Sequence, residues 1–170
     1  MLAGDEGAFR TVYHAIQPPL LRYLTVLVGA DDAEDVASDT WSQAFRDLDR
    51  FQGDADGFRG WVTTIGRNRA LDHLRRTSRR PVSDRPVDDL VDLPDVADVE
   101  RDTLVRVNSA AVVRLIASLP RDQAEAIMLR TVLGFDAPTA GRILGKRPGA
   151  VRAASHRGLR QLAKKLSAEP

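Results

Sequence analysis

"DAPTAGRILGKRPGAVRAASHRGLRQL" occupies residues 136–162. Asp136 stands where a helix N-cap belongs, and Pro138 suits a first turn. Gly145 then supplies a stop. After Lys146 and Arg147, Pro148 opens a second helix that runs to about Leu166. A short helix, a tight glycine turn and a longer helix make a helix-turn-helix pattern. Gly141 is small where the two helices must come close. The second helix and its approach carry Lys146, Arg147, Arg152, Arg157, Arg160, Lys164 and Lys165 with no acid. A helix that only packs would mix signs, so this one is read as facing a polyanion.

Working outward, the same helical periodicity covers nearly the whole chain, and strand patterns are almost absent. Upstream of the motif, Leu104–Leu119 reads as one helix. Pro120 starts another, with Ala124, Ile127, Met128 and Val132 inward and Gly134 as its end. At the other end a helix starts near Asp5 with Phe9, Val12, Tyr13 and Ile16 on one face. Pro18 and Pro19 are expected to break or kink it before Leu20–Leu27 and a stop at Gly29. Asp31 or Asp32 is expected to cap the next helix, whose inward positions are Val36, Trp41, Ala44, Phe45 and Leu48. "FQGDADG" (51–57) is a loop by composition, and Asp56 is expected to cap the helical stretch after it. Phe58, Trp61, Val62 and Ile65 lie at core-facing spacing. After Gly66 the apolar set shifts to Ala70, Leu71 and Leu74, which implies a bend or burial against two neighbours.

Charge is strongly segregated although the 170 residues sum to +1. Residues 31–57 hold nine acids and two bases, and residues 58–80 seven bases and one acid. Residues 83–102 hold eight acids and two bases, and residues 142–165 eight bases and no acid. Opposite charges in separate blocks fit different partners at different places. The stretch 77–102, with three prolines, many aspartates and no aromatic, reads as a flexible linker. The expected architecture is therefore all-α: two small helical domains, 1–80 and 104–170, joined by a flexible acidic linker at 81–103, the C-terminal domain being the helix-turn-helix.

With no cysteine, disulfides and thiolate zinc sites are excluded. His14, His73 and His156 lack ligand spacing, so no metal and no cofactor is expected. No apolar run spans a membrane and no signal peptide opens the chain, so a soluble cytoplasmic protein is expected. An enzyme using Asp31, Asp32, Glu34, Asp35 and Asp39 on a metal is one competing reading. Those acids crowd one helix start without a histidine and are explained by capping. A free-standing helix-turn-helix DNA-binding regulator accounts for 104–166 but leaves the Trp61–arginine helix without a purpose; such a regulator would bind duplex DNA alone.

Four stretches in order carry a resemblance: "AFRTVYHAIQPPLLRYL" (8–24), "DDAEDVASDTWSQAF" (31–45), "FRGWVTTIGRNRALDHLRR" (58–76), and residues 118–162 ending in "HRGLRQL". Together they resemble the extracytoplasmic-function (ECF) sigma factors, group 4 of the bacterial sigma-70 family. The resemblance implies a promoter-specific transcription initiation factor, not an enzyme, with no small-molecule substrate. It would bind core RNA polymerase and direct it to -10 and -35 promoter elements. Residues 1–80 would be region 2, which binds core and recognises and melts the -10 element. Residues 104–170 would be region 4, which reads the -35 element. An anti-sigma factor is a further implied partner, holding the cytoplasmic chain at the membrane until it joins the nucleoid.

Carried onto this chain, the resemblance implies a core-polymerase dock at Asp32, Glu34, Asp35, Asp39, Thr40 and Trp41. It implies -10 DNA contacts at Gln52, Asp54, Asp56, Trp61, Arg67, Asn68, Asp72, Arg75 and Arg76. It implies -35 contacts at Lys146, Arg147, Arg152, Ala153, His156, Arg157 and Arg160. The chain departs from the usual family pattern at Thr139, where a capping glutamate is usual, and at Arg147, Ala150, Ala153 and Ala154 around the reading helix. Alanines cannot hydrogen-bond base edges, so narrower -35 readout than the family norm is expected.

Overall fold

A computed structural model gives the fold of residues 5–79 and 110–168, and every regular element among them is helical. The acidic linker expected at 81–103, and the start of the helix expected from Leu104, lie outside the described residues. Helix α1 spans Glu6–Val28. Asp5 caps it, its Oδ1 accepting from the amides of Gly7 and Ala8 at 3.0 and 3.2 Å. The expected break at Pro18 and Pro19 does not occur; the helix runs through both. The missing amides leave the carbonyls of His14 and Ala15 without in-helix donors. Both residues are exposed, where water can serve those carbonyls. Ile16, Leu20, Tyr23 and Leu24, on either side of the prolines, are all buried and anchor both halves of the helix.

Gly29, at φ +88°, ends α1 and is also the residue before α2, Ala30–Arg46. Asp31 and Asp32 therefore do not cap α2 as expected; they lie in its first turn, where the helix dipole still favours them. Phe45 was expected inward but is 52% exposed. A 3-10 turn at Leu48–Arg50 and a short loop lead to α3, Ala55–Ser78. Its cap is Asp54, accepting from the Gly57 amide at 2.8 Å, rather than Asp56. Phe58, Val62, Ile65 and Ala70 are buried against α1 and α2. At Gly66, α3 comes so close that a Cβ would lie 3.1 Å from Leu20 Cδ1. Beyond Gly66 the buried residue is Ala70, which joins the same cluster as Phe58, Val62 and Ile65, while Leu71 and Leu74 are only half-buried; α3 meets α6 earlier, where Gly60 lies beside Thr139.

The second half begins with α4, described over 110–117. Then come α5 (Arg121–Ile127), a wide π turn (Met128–Val132), α6 (Ala137–Leu144) and α7 (Pro148–Ala168). Asp136 caps α6 as expected, accepting from the Thr139 amide at 2.8 Å, and Gly145 ends it in the left-handed region at φ +65°. Gly141 is needed for a close approach, chiefly to the turn, with Pro148 N at the start of α7 3.6 Å from where its Cβ would lie. A Cβ there would meet the Lys146 carbonyl oxygen at 2.5 Å, so the glycine makes room for the turn itself. The close helix contact is at Gly158 of α7, where a Cβ would meet Ile127 Cδ1 of α5 at 2.6 Å.

Two apolar clusters form, one in each half. Each fully buried side chain such as Leu20 or Leu129 contributes roughly 1.5–3 kcal/mol. Tyr23 of α1 belongs to the second half's cluster, with Val26 and Leu27 packed beside it. The two halves thus touch directly through α1, α3, α5, α6 and the π turn.

Candidate nucleic-acid interface

On α7, Val151, Ala154, Ser155 and Gly158 face inward. That phasing pushes Arg152, Ala153, His156, Arg157 and Arg160 to the exposed side, with Lys146 and Arg147 exposed just before the helix. All seven candidate -35 residues are therefore exposed, on α7 or in the turn before it. Ala154, by contrast, is 4% exposed and belongs to the core. Arg157 lies 3.8 Å from Asp122, a solvent-exposed pair that holds it only weakly. Lys165 donates to Ser118 Oγ at 2.7 Å, tying the tail of α7 to the end of α4.

The α3 surface is more divided. Asn68, Asp72, Arg75 and Arg76 are exposed along its second half. Asp72 accepts from Arg75 at 2.9 Å, so it orients that guanidinium. Trp61 is half-buried, with its ring centroid 5.1 Å from Phe51 and 5.6 Å from Phe58. Gln52, Asp54 and Asp56 are exposed in and after the loop, with one Asp54 oxygen committed to the cap. Arg67 departs from the rest: it turns inward to Glu125 of α5, with 16% of its side chain exposed.

On α2, Glu34, Asp35 and Asp39 are exposed. Asp32 Oδ2 lies 2.9 Å from His73 Nε2 of α3. Thr40 does not belong to an accessible dock. It is fully buried, its hydroxyl donates to the Val36 carbonyl at 2.7 Å, and its methyl packs toward Gly66. Trp41 is likewise 5% exposed, its indole donating to Gln17 Oε1 at 2.6 Å. Sequence reasoning missed what stands over them. Phe45 lies 4.6 Å from Phe9 at the edge of an open groove of about 360 Å³ lined by Tyr13, Gln17, Glu34, Ser38 and Trp41. Helical spacing alone put Phe45 inside, because it follows Trp41 by four residues.

Tyr23 and Glu125 were also missed. Tyr23 Oη donates to Glu125 Oε1 at 2.8 Å. Burial, then the adjoining Glu125 carboxylate, push the Tyr23 phenol well above its usual range. Burial pulls the Arg67 guanidinium down, but the bonds and charge of Glu125 outweigh it and leave it raised. No pattern in the sequence marks these residues as partners. Among the described residues no group of three or more His, Asp or Glu side chains gathers to hold a metal, and no helix is long and apolar enough to cross a membrane.

Comparison with known proteins bears on these surfaces. The Sigma-70 region 2 family matches residues 12–80, and the Sigma-70 region 4 family matches residues 109–162. The ECF RNA polymerase sigma factor ShbA of Streptomyces griseus is 32% identical over 169 residues, covering 94% of this chain and 87% of that protein. The ECF RNA polymerase sigma factor BldN of Streptomyces coelicolor is 28% identical over 166 residues, covering 96% of this chain but only 62% of BldN. The fold is similar to CnrH, solved in complex with the cytosolic domain of CnrY, at a TM-score of 0.68 and 25% identity over 99% of this chain and 93% of CnrH. With both sigma regions present in order, only helices among the described residues and a basic exposed face on α7, the chain belongs to the ECF sigma factors, the promoter-directing initiation factors of the sigma-70 family.

Proposed function

We propose that this chain binds core RNA polymerase through α2, opens and reads the -10 element through α3 and its preceding loop, and reads the -35 element through α7. The observation that carries this reading is the segregation of charge onto separate helix faces: exposed acids on α2, exposed bases on the end of α3 and on α7. One chain that must dock on a protein and hold a polyanion needs that separation.

The dock consists of Glu34, Asp35 and Asp39 beside the Phe45 groove, with Asp32 at its edge and Trp41 beneath as its support. Gln52, Asp54, Asp56 and Trp61 form one side of the -10 surface, and Asn68, Asp72, Arg75 and Arg76 the other. Arg67 joins them when it is released from Glu125. In the -35 surface Arg152 makes the main base contact, with His156 and Arg157 beside it. Lys146 and Arg147 meet the phosphate backbone, and Ala153 packs on base edges. Residues 1–80 and 104–170 act as regions 2 and 4, with 81–103 as their connector. The chain works in the cytoplasm without a chemical step of its own. An anti-sigma factor is its second protein partner; CnrH, solved with a cytosolic protein domain bound, supports such a partner.

Run-off transcription tests the reading. Core polymerase plus this chain should initiate on a duplex template carrying the gene's own upstream region, and neither component alone should. Tight duplex binding by the chain without polymerase, and no transcript with it, would instead identify a free-standing regulator.

A further inference from the structure

Three side chains distant in sequence meet where the two halves touch. Glu125 Oε1 accepts from Tyr23 Oη at 2.8 Å and from Arg67 Nε at 2.8 Å, and its Oε2 accepts from Arg67 Nη2 at 3.3 Å. Only 4% of the Glu125 side chain is exposed. A carboxylate is expensive to take out of water and is tolerated inside only when its oxygens are paired and hydrogen-bonded. Among the described residues, the side-chain hydrogen bonds to Glu125 come from the first half of the chain, from α1 and α3. Its own half supplies Arg121, at a looser 3.8 Å. Nearby, the Arg59 guanidinium of α3 lies 4.8 Å over the Phe135 ring, a second contact across the same seam.

The energetics give this arrangement a direction. When the halves part, Glu125, Arg67 and Tyr23 all return to water and none is stranded. When they close with one partner missing, a buried charge is left uncompensated. Loss of a partner therefore favours opening over unfolding of either half.

We propose that Tyr23, Glu125 and Arg67 form an intramolecular latch that closes the two halves on each other and withholds Arg67 from DNA until they separate. The withholding rests on the reading of α3 as the -10 helix; the latch itself does not. A closed population lowers apparent affinity for any ligand of the open form by the open fraction, and a partner that prefers the open form shifts that balance.

The test uses the free full-length chain. It has no cysteine, so Thr11→Cys on α1 and Gln161→Cys on α7, both exposed, accept spin labels at two defined places. Pulsed electron-electron resonance should give one narrow distance population. Glu125→Gln should raise the population at longer distances at least ~tenfold. Tyr23→Phe, which keeps both Arg67 bonds, should shift it less in the same direction. Circular dichroism separates opening from unfolding: retained helicity means opening. Should Glu125→Gln lose helicity, Tyr23→Phe carries the test alone. A native distribution that is already broad, or helical variants whose distributions superimpose on the native one, would overturn the latch. These distances need no polymerase, so they stand or fall apart from the transcription test. Binding of a fluorescent -10 single strand to the free chain should tighten by the same factor as the open fraction rises. Opening without tightening would overturn the withholding of Arg67.

Discussion

Replacing Gly141 by alanine tests the architecture that presents the reading helix. In the native chain the Lys146 amide donates to the Gly141 carbonyl at 2.9 Å, folding the turn back over α6. An added Cβ would sit 2.5 Å from the Lys146 carbonyl oxygen, whereas real Cβ contacts are essentially never below 3.0 Å. The turn would have to retreat by the difference, 3.0 − 2.5 = 0.5 Å, or more. The obstacle is backbone and cannot swing aside as a side-chain end could, so the overpacking cost belongs near the upper end of the usual range, about 3 kcal/mol. Alanine recovers about 1 kcal/mol over glycine within a helix. The net loss is about 2 kcal/mol, which for a chain of this size is a fall in Tm of roughly 4–8 °C. Gly149, in the first turn of α7 with nothing near its missing Cβ, is the control. Gly149→Ala should hold or raise Tm. Differential scanning calorimetry of the two variants decides the matter. A Gly141→Ala chain as stable as the native one, or equal losses at both glycines, would refute the reasoning. The same displacement moves Lys146 and Arg147, so Gly141→Ala should also weaken -35 binding in the holoenzyme.

On α7, Arg152→Ala should cost roughly 1–3 kcal/mol of promoter binding and relax preference at one or two base pairs. Arg147→Ala should weaken all -35 variants alike and reduce the salt slope by about one. Holoenzyme binding to a -35 library at two salt concentrations separates the two roles. Reversing Asp35 and Asp39 together should weaken the core-polymerase complex about tenfold, read by fluorescence anisotropy, while reversing the exposed Glu6 at the far end of α1 should not. Asp136, whose carboxylate is held below its usual range first by the Thr139 side chain and then by the Thr139 amide, stabilises the folded form when ionised. That contribution is present above the ordinary carboxylate range and fades as pH falls through the lower folded value. Asp136→Ala should lower Tm at neutral pH and flatten its decline in acid; an unchanged acid profile would refute the cap.

Local chemistry made much of this chain legible before any tertiary contact was known. Asp5 and Asp136 cap their helices, Gly29 and Gly145 stop theirs, and Pro148 opens α7, because each choice is settled within a few residues by backbone geometry and orphan amides. The exposed basic face of α7 and the acidic face of α2 followed from charge patterning, for the same reason. Tertiary structure decided the rest. Whether Pro18 and Pro19 end a helix depended on apolar residues on both sides finding one core. Phe45 left its expected inward place because helical spacing assigns a side but not the edge of a groove, and Thr40, which the family resemblance put in the dock, is buried against Gly66. Above all, Tyr23, Arg67 and Glu125 are brought together across separations of 102 and 58 residues. A buried charge must find its partners wherever the packed halves place them, and no local pattern along the chain records that meeting.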